Sequence, residues 1–261
     1  MLLKNKTAII YGGGGAVGGA VAKAMAREGA LVYLGGRTLE KLEAVANEIT
    51  KAGGKAKAVK VDALDKDAVE KTVHEIIQQN GQIDISLNAI GIEDEHGTPL
   101  SKMEYKSFST PIINAIQSHF ITAHGVVHHM QKQGSGVILA ITANAARQPY
   151  ENTGGFGIAG AAIEAICRQL AMEEGRHGIR VVCLRSAGSP DAPNVDEVFN
   201  VHAEKQGVSR EQFEKQFAER TMLKRLPKLA EVANAAVLMA SDNASAITGA
   251  VTNVTCGEMA D

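Results

Sequence analysis

The chain alternates short apolar runs with amphipathic stretches along most of its 261 residues, and this rhythm constrains the fold more than any other feature. Strand-like runs fall at 7–12, 30–36, 55–62, 83–88, 136–142, 179–185 and 250–254. Helical patterns fall between them at 16–28, 38–52, 65–79, 112–132, 155–175 and 229–241. Several of the runs, such as IRVVCLR, are apolar almost throughout, which suits strands buried on both faces of a parallel sheet. Strand–helix alternation with such strands predicts an α/β fold: one doubly wound Rossmann-type domain over 1–261, with a mostly parallel seven-stranded sheet and helices on both faces. Thr38, ahead of LEKLEAVANEI, is the expected N-cap of the second helix.

Composition excludes several functions. Net charge is −2, and no basic cluster stands out as a nucleic-acid footprint. No apolar run approaches the roughly 18 residues of a membrane span, and the N-terminus lacks the pattern of a signal peptide. Cys167, Cys183 and Cys256 are odd in number and lack CxxC spacing, which fits reduced thiols in a cytoplasmic protein. His124 and His128 have the i,i+4 spacing of a metal pair, but no acidic residue or cysteine joins them on their helix, so no metal is expected.

The first strand runs into Gly12-Gly13-Gly14-Gly15-Ala16-Val17-Gly18 and then a helix. Such a turn lets a phosphate approach the backbone closely and meet the N–H groups of a helix N-terminus. At the end of the second strand, Gly35-Gly36 supplies no carboxylate for a ribose 2′-hydroxyl, and Arg37 follows as a partner for a 2′-phosphate. The expected cofactor is therefore NADP(H) in preference to NAD(H). Residues 189–226 break the rhythm with Pro190, Pro193 and polar helical sequence. Placed after a strand's carboxyl end, they are expected to form a lid over the crevice.

These features resemble the short-chain dehydrogenase/reductase family along essentially the whole chain. The glycine turn at 12–18 matches, as do Asp62 after the third strand, Asn88-Ala89-Ile90-Gly91 and HGIRVVCLRSAG at 177–188. The closing segment RTMLKRLPKLAEVANAAVLMASDNASAITGAVTNVTCGE matches too. The resemblance implies cofactor contacts from Gly12, Gly14, Gly15, Val17 and Gly18, from Arg37, Asp62 and Ala63, from Asn88, Ala89 and Gly91, and from Gly188. It further implies a small-molecule substrate and a homodimer or homotetramer, with no nucleic-acid or membrane partner.

The family reduces carbonyls with a serine, a tyrosine and a lysine four residues later, supported by an asparagine. Counted back from Gly178, the tyrosine position here is Phe156, the lysine position Gly160 and the serine position Ala143; Asn114 alone keeps the family's residue. No lysine occurs between Lys132 and Lys205, and Tyr150 is the only tyrosine after Tyr105. Thr142 and Tyr150 are the remaining candidates, the first to hydrogen-bond a substrate or nicotinamide amide and the second to donate a proton. The expected activity is NADP(H)-dependent oxidoreduction of a small ketone or enone-like substrate at a non-standard active site. A catalytically inactive nucleotide-binding sensor or partner subunit is the alternative, and a redox-neutral isomerase or lyase is the third. The small residues from Gly154 to Ala162 are expected to let this helix pack closely against its mate in a neighbouring subunit.

Overall fold

The computed structural model describes residues 1–260, apart from the side chain of Asn194. Seven parallel strands are β1 (Thr7–Tyr11), β2 (Leu31–Gly36), β3 (Lys55–Lys60), β4 (Ile85–Asn88), β5 (Gly136–Ala143), β6 (Ile179–Ser186) and β7 (Val251–Val254), in the order β3-β2-β1-β4-β5-β6-β7. The helices are α1 (Ala16–Arg27), α2 (Leu39–Lys51), α3 (Lys66–Asn80), α4 (Tyr105–Gln133), α5 (Phe156–Glu174), α6 (Pro193–Gln206), α7 (Arg210–Arg220) and α8 (Leu229–Ala240).

Strand residues alternate between two cores. Ile10, Leu34, Leu87 and Leu139 face α1, α2 and α8, whereas Ile9, Tyr11, Ile138 and Val181 face α3, α4 and α5. Each strand therefore loses solvent on both sides, which is why the runs read as apolar rather than alternating. The order reverses between β1 and β4, and a crevice for ligands opens at such a reversal, outside the strands' carboxyl ends. Gly12 sits there with φ +78°, and a β-carbon on it would fall 2.7 Å from the Ala89 carbonyl oxygen. Only glycine permits both the turn and that approach.

Three details depart from the sequence expectations. Helix α4 starts at Tyr105 rather than 112 and carries Pro111 inside it. Proline breaks one backbone bond there, but Pro111 is buried, and its packing offsets the loss. Thr38 does occupy the N-cap of α2, yet its side chain makes no capping bond. The small residues of α5 are needed within the chain. A β-carbon at Gly157 would lie 2.5 Å from the Ala145 carbonyl oxygen, and one at Gly160 3.0 Å from the Ala146 β-carbon. The glycines admit the short turn 144–146 that carries the end of β5 back over α5.

Residues 189–226 form α6 and α7. Pro193 opens α6 at a position where its missing N–H costs nothing, and Ser209 and Gln212 cap α7 reciprocally. Phe199, Ala203, Phe213 and Leu226 pack with Ala187 as a third, smaller core above the sheet's carboxyl edge.

Candidate active site

A cavity of about 1500 Å³ opens at the carboxyl ends of the central strands. Its floor is formed by Val17, Ala89–Gly91, Ile141–Asn144 and Ser186–Gly188; one wall is the 92–96 loop and Phe156, and the roof is Phe199, His202, Phe213, Phe217 and Arg220 from α6 and α7.

Toward β1 the site suits a dinucleotide. The first turn of α1 carries no acidic side chain, and its N–H groups carry the positive end of the helix dipole. Gly15 is exposed there, and a β-carbon on Gly91 would meet nothing within 4 Å, so both faces of the crevice mouth are open to a ligand. Asp62 is exposed and accepts the Leu64 N–H on Oδ1 (3.0 Å), leaving Oδ2 for a donor such as an adenine amino group. Arg37 is exposed and touches only the edge of Glu93 (3.5 Å); such a solvent-screened pair is readily exchanged for a phosphate. Asn88 is used differently from Asp62: its Oδ1 accepts the Ile90 N–H (3.0 Å) and its amide donates to Thr122 Oγ1 (3.2 Å). Its side chain shapes the Ala89–Gly91 turn and leaves ligand contact to the backbone. A β-carbon at Gly188 would meet the Phe199 ring at 3.1 Å, so glycine here lets α6 sit down on the floor.

Two of the catalytic candidates are placed as follows. Thr142 borders the cavity floor but is buried, and its hydroxyl donates to Glu164 Oε1 (3.1 Å) beside Cys183. Asn114 is exposed in the single chain and does not line the cavity. The inward face of α4 is set by Pro111, Ala115, Ser118, His119 and Thr122, and residue 114 falls one position off it.

Tyr150 does reach the cavity. Its hydroxyl donates to Glu258 Oε1 (2.7 Å), its ring stacks on Phe217 at 5.7 Å, and Asn144 donates to the other Glu258 oxygen. Burial first, and the Glu258 carboxylate second, push the Tyr150 phenol well above its usual range. The raised value means that its stabilisation is present below about pH 10 and is lost as pH rises beyond that. Tyr150→Phe is expected to cost about 1–2 kcal/mol at neutral pH. The gap from wild type closes above about pH 10, as urea unfolding across pH will measure.

A family model described as Enoyl-(Acyl carrier protein) reductase matches residues 14–258. The chain belongs to the short-chain dehydrogenase/reductase family. This short-chain dehydrogenase/reductase is 29% identical over 247 residues to the uncharacterized oxidoreductase YxbG of Bacillus subtilis, covering 95% of the chain and 88% of that relative. Its fold superposes on NAD⁺-bound xylitol dehydrogenase with a TM-score of 0.92 at 21% identity, covering 98% and 100% of the two chains. It superposes on gluconate 5-dehydrogenase from Burkholderia cenocepacia, in complex with NADP and tartrate, with a TM-score of 0.87 at 22% identity over 98% and 96%. The chain is thus an SDR-type oxidoreductase, in a fold whose neighbours hold either nicotinamide cofactor.

Sequence reasoning missed three groups in this SDR. Glu164 and Arg185 form a buried two-pronged ion pair between α5 and β6 (2.8 and 2.7 Å), and Arg185 also donates to Asn253 Oδ1 (3.0 Å). Glu258 reaches the cavity from the C-terminal tail. Asp94, His96 and His202 meet at the wall: His96 Nε2 lies 2.8 Å from Asp94 Oδ1, and His96 Nδ1 lies 3.3 Å from His202 Nε2. The faint signal for His202 was its place one residue before Ala203, on the apolar face that includes Val195 and Phe199. His119, by contrast, is buried away from this group, bonded to the Ala115 carbonyl and held neutral by a pKa pushed down to about 4 by burial. Among the described residues no cluster of three or more His, Cys, Asp or Glu is arranged to hold a metal ion, and no helix is long and apolar enough to cross a membrane.

Proposed function

We propose that this chain reduces a small ketone or enone-like substrate with NADPH, at a site that does without the family's serine, tyrosine and lysine. The observation that carries this reading is the cavity itself, which joins the first turn of α1 to a partly aromatic cleft at the point where the sheet reverses. NADPH would supply the hydride. Arg37 pairs with the 2′-phosphate, the first turn of α1 faces the pyrophosphate, and Asp62 Oδ2 accepts from the adenine. Val17, Gly91 and the Ser186–Gly188 turn border the nicotinamide end. The aromatic roof on α6 and α7 excludes water and acts as the lid, and water exclusion strengthens every charge interaction beneath it. Phe156, at the tyrosine position, has no proton to give, and a side chain at Gly160 is opposed by Ala146.

The apolar, exposed Ile113, Ile116, Phe120 and Ile158 on α4 and α5 support assembly as a homodimer or homotetramer. Light scattering on the purified chain is expected to give a mass of two or four times 27.5 kDa. The three unpaired thiols support a cytoplasmic location.

Fluorescence titration with NADPH and NADH, followed by a screen of ketones, enones and imines for NADPH oxidation, tests the reading. The expected result is tighter binding of NADPH and oxidation with a carbonyl-type substrate. Binding without turnover across the screen would assign the chain to the non-catalytic nucleotide-binding alternative, and no binding of either dinucleotide would remove both readings.

A further inference from the structure

We infer that the preferred acceptor of this site is a cation, an iminium C=N⁺ counterpart of the ketone, held by Glu258 and the carboxylate-rich wall around it. The inference deepens the reductase reading above and rests on it. Three observations support it.

The first is a carboxylate whose charge is not balanced. Glu258 is half-buried where the C-terminal tail meets the cavity. Its oxygens accept from neutral donors, Oε1 from the Tyr150 hydroxyl (2.7 Å) and Oε2 from the Asn144 amide. Among the described residues no lysine, arginine or histidine forms an ion pair with it. Arg220, on the roof, lays its guanidinium over the Phe217 ring instead (4.8 Å). Two neutral bonds thus fix the carboxylate in place without a counter-charge, in a cleft where carboxylates outnumber lysines and arginines.

The second is a pair of buried acceptors that lack donors. Asn144 is 4% exposed and its Oδ1 makes no hydrogen bond; the amide cannot turn round, because Glu258 only accepts. Asp94, its side chain 0% exposed, accepts the Phe156 N–H on Oδ2 (3.0 Å), while its Oδ1 makes no hydrogen bond. Both residues line the cavity. Such acceptors favour a ligand that brings positive charge and disfavour one that brings a carbonyl oxygen.

The third is the direction of the hydroxyl protons. Thr142 donates to Glu164 Oε1 (3.1 Å), Ser186 to the Ala187 carbonyl (2.8 Å) and Tyr150 to Glu258. The Tyr150 phenol, pushed up by burial first and by Glu258 second, is also a weak acid. A ketone reduced here would gather negative charge on oxygen beside Glu258, with none of these protons turned toward it.

An iminium avoids both difficulties, and its reduction balances without an acid. The substrate carbon gains a hydride from NADPH, which ends as NADP⁺. The C=N π pair becomes the lone pair of nitrogen, so a cation becomes a neutral amine and no proton is transferred. Because the positive charge is lost along the way, Glu258 acts on capture of the substrate, read in KM, and not on the hydride step, read in kcat.

The test uses the full chain with NADPH and two acceptors of similar size, N-methyl-3,4-dihydroisoquinolinium and neutral 1-tetralone. Wild type is expected to show the higher kcat/KM on the cation. E258Q is expected to raise KM for the cation about 10- to 100-fold with kcat maintained, and to raise kcat/KM for 1-tetralone. An iminium is the more reactive acceptor in water too, so the opposite signs in E258Q carry the assignment. Independently of turnover, calorimetry on the NADPH complex is expected to show the unreactive cation N,N-dimethyl-1,2,3,4-tetrahydroisoquinolinium binding more tightly than neutral tetralin. E258Q is expected to remove that difference. A wild type that reduces 1-tetralone in preference to the cation, or an E258Q that treats both acceptors as wild type does, overturns the inference and leaves the reductase reading standing. A wild type that binds NADPH and reduces neither acceptor, nor any in the wider screen, overturns both. If E258Q does not fold, the wild-type calorimetry decides: a cation bound no more tightly than tetralin overturns the inference.

Discussion

Glu164→Ala is expected to destabilise the fold by about 3–5 kcal/mol, the range for removing one partner of a buried ion pair. Glu164 and Arg185 are 4% and 3% exposed and grip each other through two hydrogen bonds, with Thr142 donating to the same carboxylate. Without Glu164, the guanidinium keeps Asn253 as a partner but loses the carboxylate that takes two of its hydrogen bonds in a site closed to water. The loss is so large because the pair fastens α5 to β6 directly beneath the cavity floor. Urea unfolding will read it as a fall in midpoint at constant slope. A loss under 1 kcal/mol would mean that water reaches Arg185. The paired replacement Glu164→Leu with Arg185→Met is expected to recover most of the loss, since well-packed apolar residues commonly replace a buried ion pair at little cost.

Arg37→Ala is expected to weaken NADPH binding about 10- to 100-fold while changing NADH binding less than about threefold. A hydrogen bond to a charged group is worth about 1.5–3 kcal/mol, and each 1.4 kcal/mol is tenfold in affinity. Among the described residues Arg37 holds an exposed pair with Glu93, which contributes little and competes weakly. The preference for the phosphorylated dinucleotide should also shrink as salt rises, because the contact is made in solvent. Equal losses for the two dinucleotides would place Arg37 elsewhere than on the 2′-phosphate.

The fold was legible because a doubly covered parallel sheet writes itself as separate apolar runs, and the strands formed within about two residues of them at most ends. The start of α4 was not legible. Pro111 reads as a boundary in sequence, but as a buried helical residue it is tolerated for its packing. The turns proposed for the cofactor are contiguous in sequence, each ending a strand, and the structure brings them to one edge of the sheet. The side-chain clusters of the cavity wall were not legible, since their parts are joined only by folding: His96 and His202 lie 106 positions apart, and Tyr150 and Glu258 lie 108 apart. The Thr142–Glu164 bond was not legible either, because Glu164 sits about two turns inside α5 and is not distinguished by sequence from a surface glutamate. The α5 glycines carry a constraint the sequence did not show: Gly157 and Gly160 lie against Ala145 and Ala146 of the same chain.

Transfer of deuterium from the nicotinamide carbon of [4,4-²H₂]NADPH, labelled on both faces, to substrate is the most direct test of the central claim. Mass spectrometry of the product from the best ketone or enone is expected to show one deuterium, bound to carbon, per NADPH consumed. NADPH that binds yet keeps its deuterium through prolonged incubation with every carbonyl substrate would contradict the account, and would leave the chain a nucleotide-binding SDR without reductase activity.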